Sequence, residues 1–158
     1  MTLPLTLVLD LPDEAATATL AAHLAARARR GDVLALEGPL GSGKTSFARA
    51  FIRAFIGAEE VPSPTFTLVE IYAAPGKPPI WHFDLYRLTA PEEAFELGIE
   101  EALTDAVSLI EWPERLGDWL PREALRLRLD DGPTANARRA RLVVPASWAD
   151  RLTGLVHG

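Results

Sequence analysis

The sequence predicts a three-layer α/β domain, with a largely parallel sheet between helices and an antiparallel hairpin added near the C-terminus. Three observations point there. Residues 33–36 (Val-Leu-Ala-Leu) form a short apolar run bounded by turn residues, as a strand buried on both faces does. A glycine-rich loop and an amphipathic helix follow it at once. Beyond residue 124 the apolar period becomes two, the mark of a half-exposed sheet.

The chain has 158 residues, 48% of them apolar, which fits one domain with one core over residues 1–158 and excludes a disordered tail. The absence of cysteine excludes a disulfide framework, a thiolate zinc site and a thiol nucleophile. Chemistry must then rest on carboxylates, hydroxyls, amines or a bound ion. The first fifteen residues carry Asp10, Asp13 and Glu14 with no basic segment, and no run of eighteen apolar residues occurs, so a soluble, unsecreted protein is expected. A net charge of −6 argues against a surface that holds nucleic acid by overall charge; any such contact must be local.

Taken in order, residues 3–9 suit a short strand, and Asp13 can cap an Ala/Leu-rich helix running to about Arg30, ended by Gly31 and Asp32. Over residues 45–56, Phe47, Phe51, Ile52 and Phe55 share one helical face while Arg49 and Arg53 fall opposite. Residues 65–72 and 80–84 read as strands around a loop that Pro75, Gly76, Pro78 and Pro79 keep irregular. Thr89 and Glu92 have the spacing of a capping box for a helix through Leu97, stopped by Gly98. Residues 107–110 form a further buried strand ending in Glu111, after which Pro113, Gly117 and Pro121 break the chain into short pieces. Leu125, Leu127 and Leu129, then Ala140, Leu142 and Val144 beyond the Asp131-Gly132-Pro133 turn, alternate with Arg126, Arg128, Arg139 and Arg141. These four arginines should share one face of the hairpin, where they meet phosphates or an acidic partner surface, or, more commonly, keep an exposed sheet soluble and unpaired.

The decisive motif is Gly38-Pro39-Leu40-Gly41-Ser42-Gly43-Lys44-Thr45, which fits GxxxxGK[ST] between a strand and a helix. Glycines let backbone N–H groups converge on phosphate oxygens, and the positive end of the following helix adds to the attraction. Lys44 then bridges the outer phosphates, and the Thr45 hydroxyl serves Mg²⁺, which prefers hard oxygens. An ordinary glycine turn capping a helix needs neither Lys44 nor Thr45.

A nucleotide site also needs an acidic residue at the end of a neighbouring strand. Asp84 and Glu111 both qualify: one can hold the ion while the other orients water. Glu111 closes Val107-Ser108-Leu109-Ile110-Glu111, which has the form of a Walker B segment. His82, Asp84 and Tyr86 alternate, which would put them on one face of an extended segment. Metal ligation by His82 is conceivable, although a hydrogen-bonded histidine at a strand edge is the commoner arrangement. Ser63-Pro64-Thr65-Phe66 presents two hydroxyls on a proline-stiffened loop, where such proteins sense the terminal phosphate; by itself it is a loop before a strand.

The P-loop, Ser63-Pro64-Thr65-Phe66-Thr67-Leu68-Val69-Glu70, His82-Phe83-Asp84-Leu85-Tyr86-Arg87-Leu88 and Ile110-Glu111-Trp112-Pro113-Glu114 together resemble the TsaE family, in order and spacing from about Pro12 to Val144. The resemblance implies a small cytoplasmic, membrane-free ATPase that binds ATP and Mg²⁺ and works with TsaB and TsaD to make threonylcarbamoyladenosine, meeting tRNA only through that complex. It implies that Gly38, Leu40, Gly41, Ser42, Gly43, Lys44 and Thr45 hold the phosphates, with Thr45 and Glu111 on the metal. It further implies that Asp84 is needed for hydrolysis together with Lys44 and Thr65, that Ser63, Pro64 and Thr65 form a switch-like loop, and that Trp112 packs near it. It implies too that Thr17, in Pro12-Asp13-Glu14-Ala15-Ala16-Thr17, belongs to a segment that approaches the base, and that Arg138, near a family arginine on the late hairpin, also binds the nucleotide. Two departures from the family are a longer 74–79 loop and a strong Ala/Arg bias outside the motifs. A small-molecule kinase and a non-hydrolysing nucleotide switch share the same phosphate loop. Such a kinase usually carries an arginine-bearing lid where this chain has the broken segment 112–121.

Overall fold

The computed structural model describes residues 5–57 and 68–154. Seven strands, β1 (Leu5–Leu11), β2 (Val33–Glu37), β3 (Val69–Tyr72), β4 (Ile80–Asp84), β5 (Val107–Glu111), β6 (Leu125–Asp131) and β7 (Arg138–Val144), form one sheet in the order β1-β7-β6-β2-β5-β4-β3. The pairings β6–β2, β2–β5 and β5–β4 are parallel. Antiparallel pairing extends beyond the expected β6–β7 hairpin, because β1 returns along β7 and β3 along β4.

Helices cover both faces of the parallel centre, giving the three-layer α/β arrangement. Alternation along β2 divides the core: Leu34 and Leu36 face α1 (Glu14–Ala25) and α2 (Lys44–Ile56), while Val33 and Ala35 face α3 (Glu93–Glu96), α4 (Ile99–Asp105) and a 3₁₀ segment at Pro113–Trp119. The amphipathic reading of α2 holds. Phe47, Phe51 and Phe55 line its buried face with ring centroids 6.4 and 6.2 Å apart in succession. At the end of β7 a short helix, α5 (Ala146–Ala149), buries Trp148 on the α1–α2 side.

Three elements differ from expectation, each for a local reason. The first helix ends at Ala25 rather than near Arg30. The Asp32 carboxylate accepts the backbone N–H of Arg29 at 2.6 Å, and Arg151 donates to the Arg27 carbonyl and to both Asp32 oxygens, so this pair takes up groups a longer helix would use. The Thr89–Glu92 capping box does not form. Successive i→i+3 turns run through Ala90, Pro91 and Glu92, α3 begins only at Glu93, and Thr89 Oγ1 bonds the Glu93 side chain instead. Gly98 does separate α3 from α4: its φ is +88°, and a Cβ there would lie 2.9 Å from the Trp81 ring. Finally, Tyr86 does not continue the β4 alternation, because the strand ends at Asp84, whose Oδ1 accepts the Tyr86 N–H at 3.2 Å.

On β6 and β7 the apolar residues face α1 and α2, and Arg126, Arg128, Arg139 and Arg141 share the opposite, exposed face with Arg128 directly across from Arg141. Three of them have acidic neighbours: Arg126 with Glu37, Arg128 with Asp130 and Arg139 with Asp10. These exposed pairs contribute little to stability.

The Arg151–Asp32 pair, at 2.5 Å and largely shielded from water, ties the segment after β7 to the entrance of β2. Arg151→Ala should lower the unfolding free energy by about 2 kcal/mol, read as a lower urea midpoint, because it strands a shielded carboxylate. Adding Asp32→Asn should recover part of that loss.

Candidate functional site

The parallel strands β2, β4 and β5 end at one edge of the sheet, and their last residues are Glu37, Asp84 and Glu111. Asp84 and Glu111 are paired in register. The crevice beyond such strand ends, where strand order reverses around β2, is where open α/β sheets take their ligands. Here the 38–43 loop leaves β2 and enters α2, whose first residue is Lys44 and whose N-cap is Gly43.

The loop can close so tightly only because of Gly38. Its φ is +137°, and a Cβ there would meet the Leu129 carbonyl oxygen at 2.3 Å and Ser42 Oγ at 2.7 Å. Lys44 is buried; its Nζ donates to the carbonyls of Gly38 and, at 3.4 Å, Pro39, and stands 3.7 Å from the centre of the Trp112 ring. Burial lowers the Lys44 pKa, Arg128 adds to the effect, and Glu111, Glu114 and Asp84 oppose it. Trp112 reaches this position through a left-handed backbone with φ +58°, and Tyr86 packs on it with ring centroids 4.9 Å apart.

Thr45 Oγ1 donates to Glu111, at 2.9 Å to Oε1 and 3.1 Å to Oε2, and His82 Nε2 lies 2.7 Å from Oε2. A hydroxyl and a carboxylate in contact are hard oxygen donors, and their chemistry fits Mg²⁺. Among the described residues no cluster of three or more His, Cys, Asp and Glu forms a protein-only cage, so a cation here would complete its shell with water and phosphate oxygens, as Mg²⁺ prefers.

Two cavities flank the start of α2. One, of about 310 Å³, brings together Leu40, Gly41, Ser42, Gly43, Lys44, Thr45, Asp84, Glu111 and Arg138. The other, of about 250 Å³, is lined by Thr17, Gly43 and Arg138 with Glu14, Ser46, Arg49, Arg53 and Asn136. Arg138 joins the two: its Nε donates to the Ser42 carbonyl at 2.8 Å and its Nη2 reaches the Gly41 carbonyl at 3.5 Å.

With this geometry in view, the family model described as "Threonylcarbamoyl adenosine biosynthesis protein TsaE" matches residues 11–140. The chain belongs to the TsaE family. Curated relatives called "tRNA threonylcarbamoyladenosine biosynthesis protein TsaE" include one from Rickettsia bellii, 42% identical over 120 residues (75% of this chain, 83% of that protein), and one from Bacillus subtilis, 39% identical over 117 residues (73% and 71%). The crystal structure of Bacillus subtilis YdiB matches with a TM-score of 0.75 and 27% identity, covering 99% of this chain and 97% of that one.

In this TsaE chain the described site residues expected from the sequence fall into one region, with Gly38 beneath Lys44, Thr17 in the second cavity and Arg138 at the junction. Thr65, with Ser63 and Pro64, lies outside the described residues. Leu68, which follows that segment, bonds Asp84: its carbonyl accepts the Asp84 N–H at 2.9 Å. Sequence reasoning missed three features. The spacing of Arg49 and Arg53 gives the polar face of α2, and nothing in the sequence shows that this face lines a cavity. Trp112 gave no sign of its left-handed backbone or of its contact with Lys44. The hydrogen bond expected of His82 forms, but its partner, Glu111, 29 positions away on the neighbouring strand, is not indicated by the sequence.

Gly38→Ala should abolish measurable binding of a fluorescent adenine nucleotide and lower the melting temperature, because neither Leu129 nor the loop backbone can move aside without opening the loop. Gly76, exposed and with open space around its Cβ position, is the control: Gly76→Ala should leave nucleotide binding unchanged.

Proposed function

We propose that this TsaE chain is a Mg²⁺-dependent ATPase that binds and hydrolyses ATP in support of a TsaB–TsaD machinery that makes threonylcarbamoyladenosine on tRNA. The observation that carries the reading is the convergence of Lys44, Thr45, Asp84 and Glu111 at the carboxyl ends of β2, β4 and β5, beside the glycine loop. Family membership and the P-loop-like fold support nucleotide binding and a nucleotide-hydrolysing role. The names of the relatives support the pathway.

In this reading the loop amides and the N-terminus of α2 hold the phosphates, and Lys44 exchanges its contacts with the Gly38 and Pro39 carbonyls for the outer phosphate oxygens. Thr45 and Glu111 would hold Mg²⁺, directly or through water, and the ion would neutralise charge on the transferred phosphoryl group. Asp84 stands beside Glu111 in register yet outside its hydrogen-bond network, which suits a group that orients the attacking water. Thr17 and Arg138 face the nucleoside side. Gly41, Ser42 and Gly43 supply backbone, and Leu40, three-quarters exposed at the loop tip, contributes its main chain. Thr65 would sense the terminal phosphate from the loop before β3.

Among the described residues no arginine completes the phosphate site as a finger; Arg138 is engaged with loop carbonyls and Arg115 stacks near Tyr86. Turnover by the isolated protein is therefore slow and rises when partners dock. The stretch after β5 also fits a small-molecule kinase poorly: Trp112 lies against Lys44, the 3₁₀ segment that follows is packed down through Pro113 and Leu116, and its arginine, Arg115, is placed beside the Tyr86 ring. The pathway named for the relatives supports work in the cytoplasm, where tRNA is modified.

Lys44→Ala should reduce ATP affinity at least tenfold by calorimetry and abolish phosphate release. Asp84→Ala should keep ATP affinity within about threefold while turnover falls by two orders of magnitude or more, the range of lost positioning and acid–base groups. Phosphate release equally fast with and without TsaB and TsaD would defeat the partner-dependent reading, and stoichiometric transfer of phosphate to a small molecule would favour the kinase.

A further inference from the structure

His82 lies on β4 two residues before Asp84, on the face that looks toward α2, and is 3% exposed. Its Nε2 is 2.7 Å from Glu111 Oε2, and both side chains are almost wholly withdrawn from water. A carboxylate has no proton to give, so the ring nitrogen is the donor. Thr45 Oγ1 is the other side-chain donor to Glu111, directed mainly at Oε1. The carboxylate is thus held between a histidine from the neighbouring strand and the first-turn hydroxyl of α2. The main chain fixes the same corner, because Leu85 N–H donates to the Glu111 carbonyl at 3.1 Å. Nε2 is therefore turned to Glu111 and is itself not offered to a cation.

We propose that His82 is a positioning residue for the cation site: it holds the Glu111 carboxylate in the orientation that faces Thr45, so that the two oxygen donors are assembled before the metal arrives. A buried carboxylate with a single side-chain partner would be free to rotate toward other polar groups, and that rotation removes a hard oxygen from Thr45. His82 acts through Glu111 and makes no contact with nucleotide. The proposal rests on the reading of Thr45 and Glu111 as the Mg²⁺ residues.

The test compares wild type with His82→Leu, which keeps the volume and removes the donor, and His82→Gln, whose amide N–H can stand where Nε2–H does. Two quantities are measured on the full chain: ADP affinity in EDTA by calorimetry, and Mn²⁺ affinity at saturating ADP by electron paramagnetic resonance. His82→Leu should leave ADP affinity in EDTA unchanged and weaken Mn²⁺ by about 10- to 100-fold, the usual cost of losing a group that orients a ligand. His82→Gln should restore Mn²⁺ to within about threefold of wild type. Adding Glu111→Gln to His82→Leu should weaken Mn²⁺ far less than Glu111→Gln does alone. Unchanged Mn²⁺ affinity in a folded His82→Leu protein, or equal loss of ADP affinity with and without the cation, would overturn the proposal and leave His82 a core residue. If His82→Leu fails to fold, His82→Asn, too short to reach Glu111, takes its place: Asn weak and Gln normal supports the proposal, and Asn equal to Gln overturns it. A wild-type protein whose nucleotide does not raise its Mn²⁺ affinity would overturn the cation reading of Thr45 and Glu111 itself, which separates the two failures.

Discussion

Charge held out of water at the carboxyl ends of parallel strands is the constraint on which the site region depends. Lys44, Glu111 and the polar ring of His82 are each no more than 5% exposed, and none would be tolerated there without partners. Each is compensated by a neighbour: Lys44 by loop carbonyls, the Trp112 face and nearby carboxylates, Glu111 by Thr45 and His82. The compensation works only if β2, β4 and β5 run in the same direction and end level, so that residues far apart in sequence arrive at one edge. Sheet direction, the abrupt glycine loop and the left-handed Trp112 serve the same local balance of charge.

Much of this architecture was legible because it rests on short-range patterns. The apolar runs of β2 and β5 are fully buried strands, and the glycine loop leads into a helix whose aromatic stripe packs as its spacing demands. The alternation of β6 and β7 placed four arginines on one face before any register was known. What escaped depends on partners distant in the chain. Nothing in residues 26–30 announces that Arg151, more than a hundred positions later, will complete the end of α1. The failed capping box has a nearer cause in the tight turns through Ala90, Pro91 and Glu92, with the Thr89 hydroxyl taken up by Glu93. In the site, residues that must be chemically special, Lys44, Thr45, Asp84 and Glu111, stood out by type and position. Arg49 and Arg53 did not, since their surroundings come from other elements and arginine is ordinary on a helix surface; His82 stood out by its alternation with Asp84, but its partner Glu111 lies on another strand.

The two cavities give the start of α2 a double character. One lies where phosphate, cation and water chemistry would take place; the other, bounded by α1 and α2, contains arginines, a glutamate and an asparagine. Arg138 touches both through the carbonyls of the loop between them. The hairpin is therefore more than an edge of the sheet, because its second strand braces the phosphate loop from outside.

That bracing bears on the order in which a growing chain can acquire its parts. The phosphate loop is made early, but the strand beside β2 on one side, β6, and the arginine that holds the Ser42 carbonyl come about 90 residues later. At ordinary rates of synthesis that is several seconds of elongation. During that interval a nascent chain has the loop's residues without the neighbours that shape it. The folded form of the loop thus arrives late in translation, together with closure of the sheet by β7 and β1, and a stalled or shortened product ending before the hairpin would carry an unbraced loop.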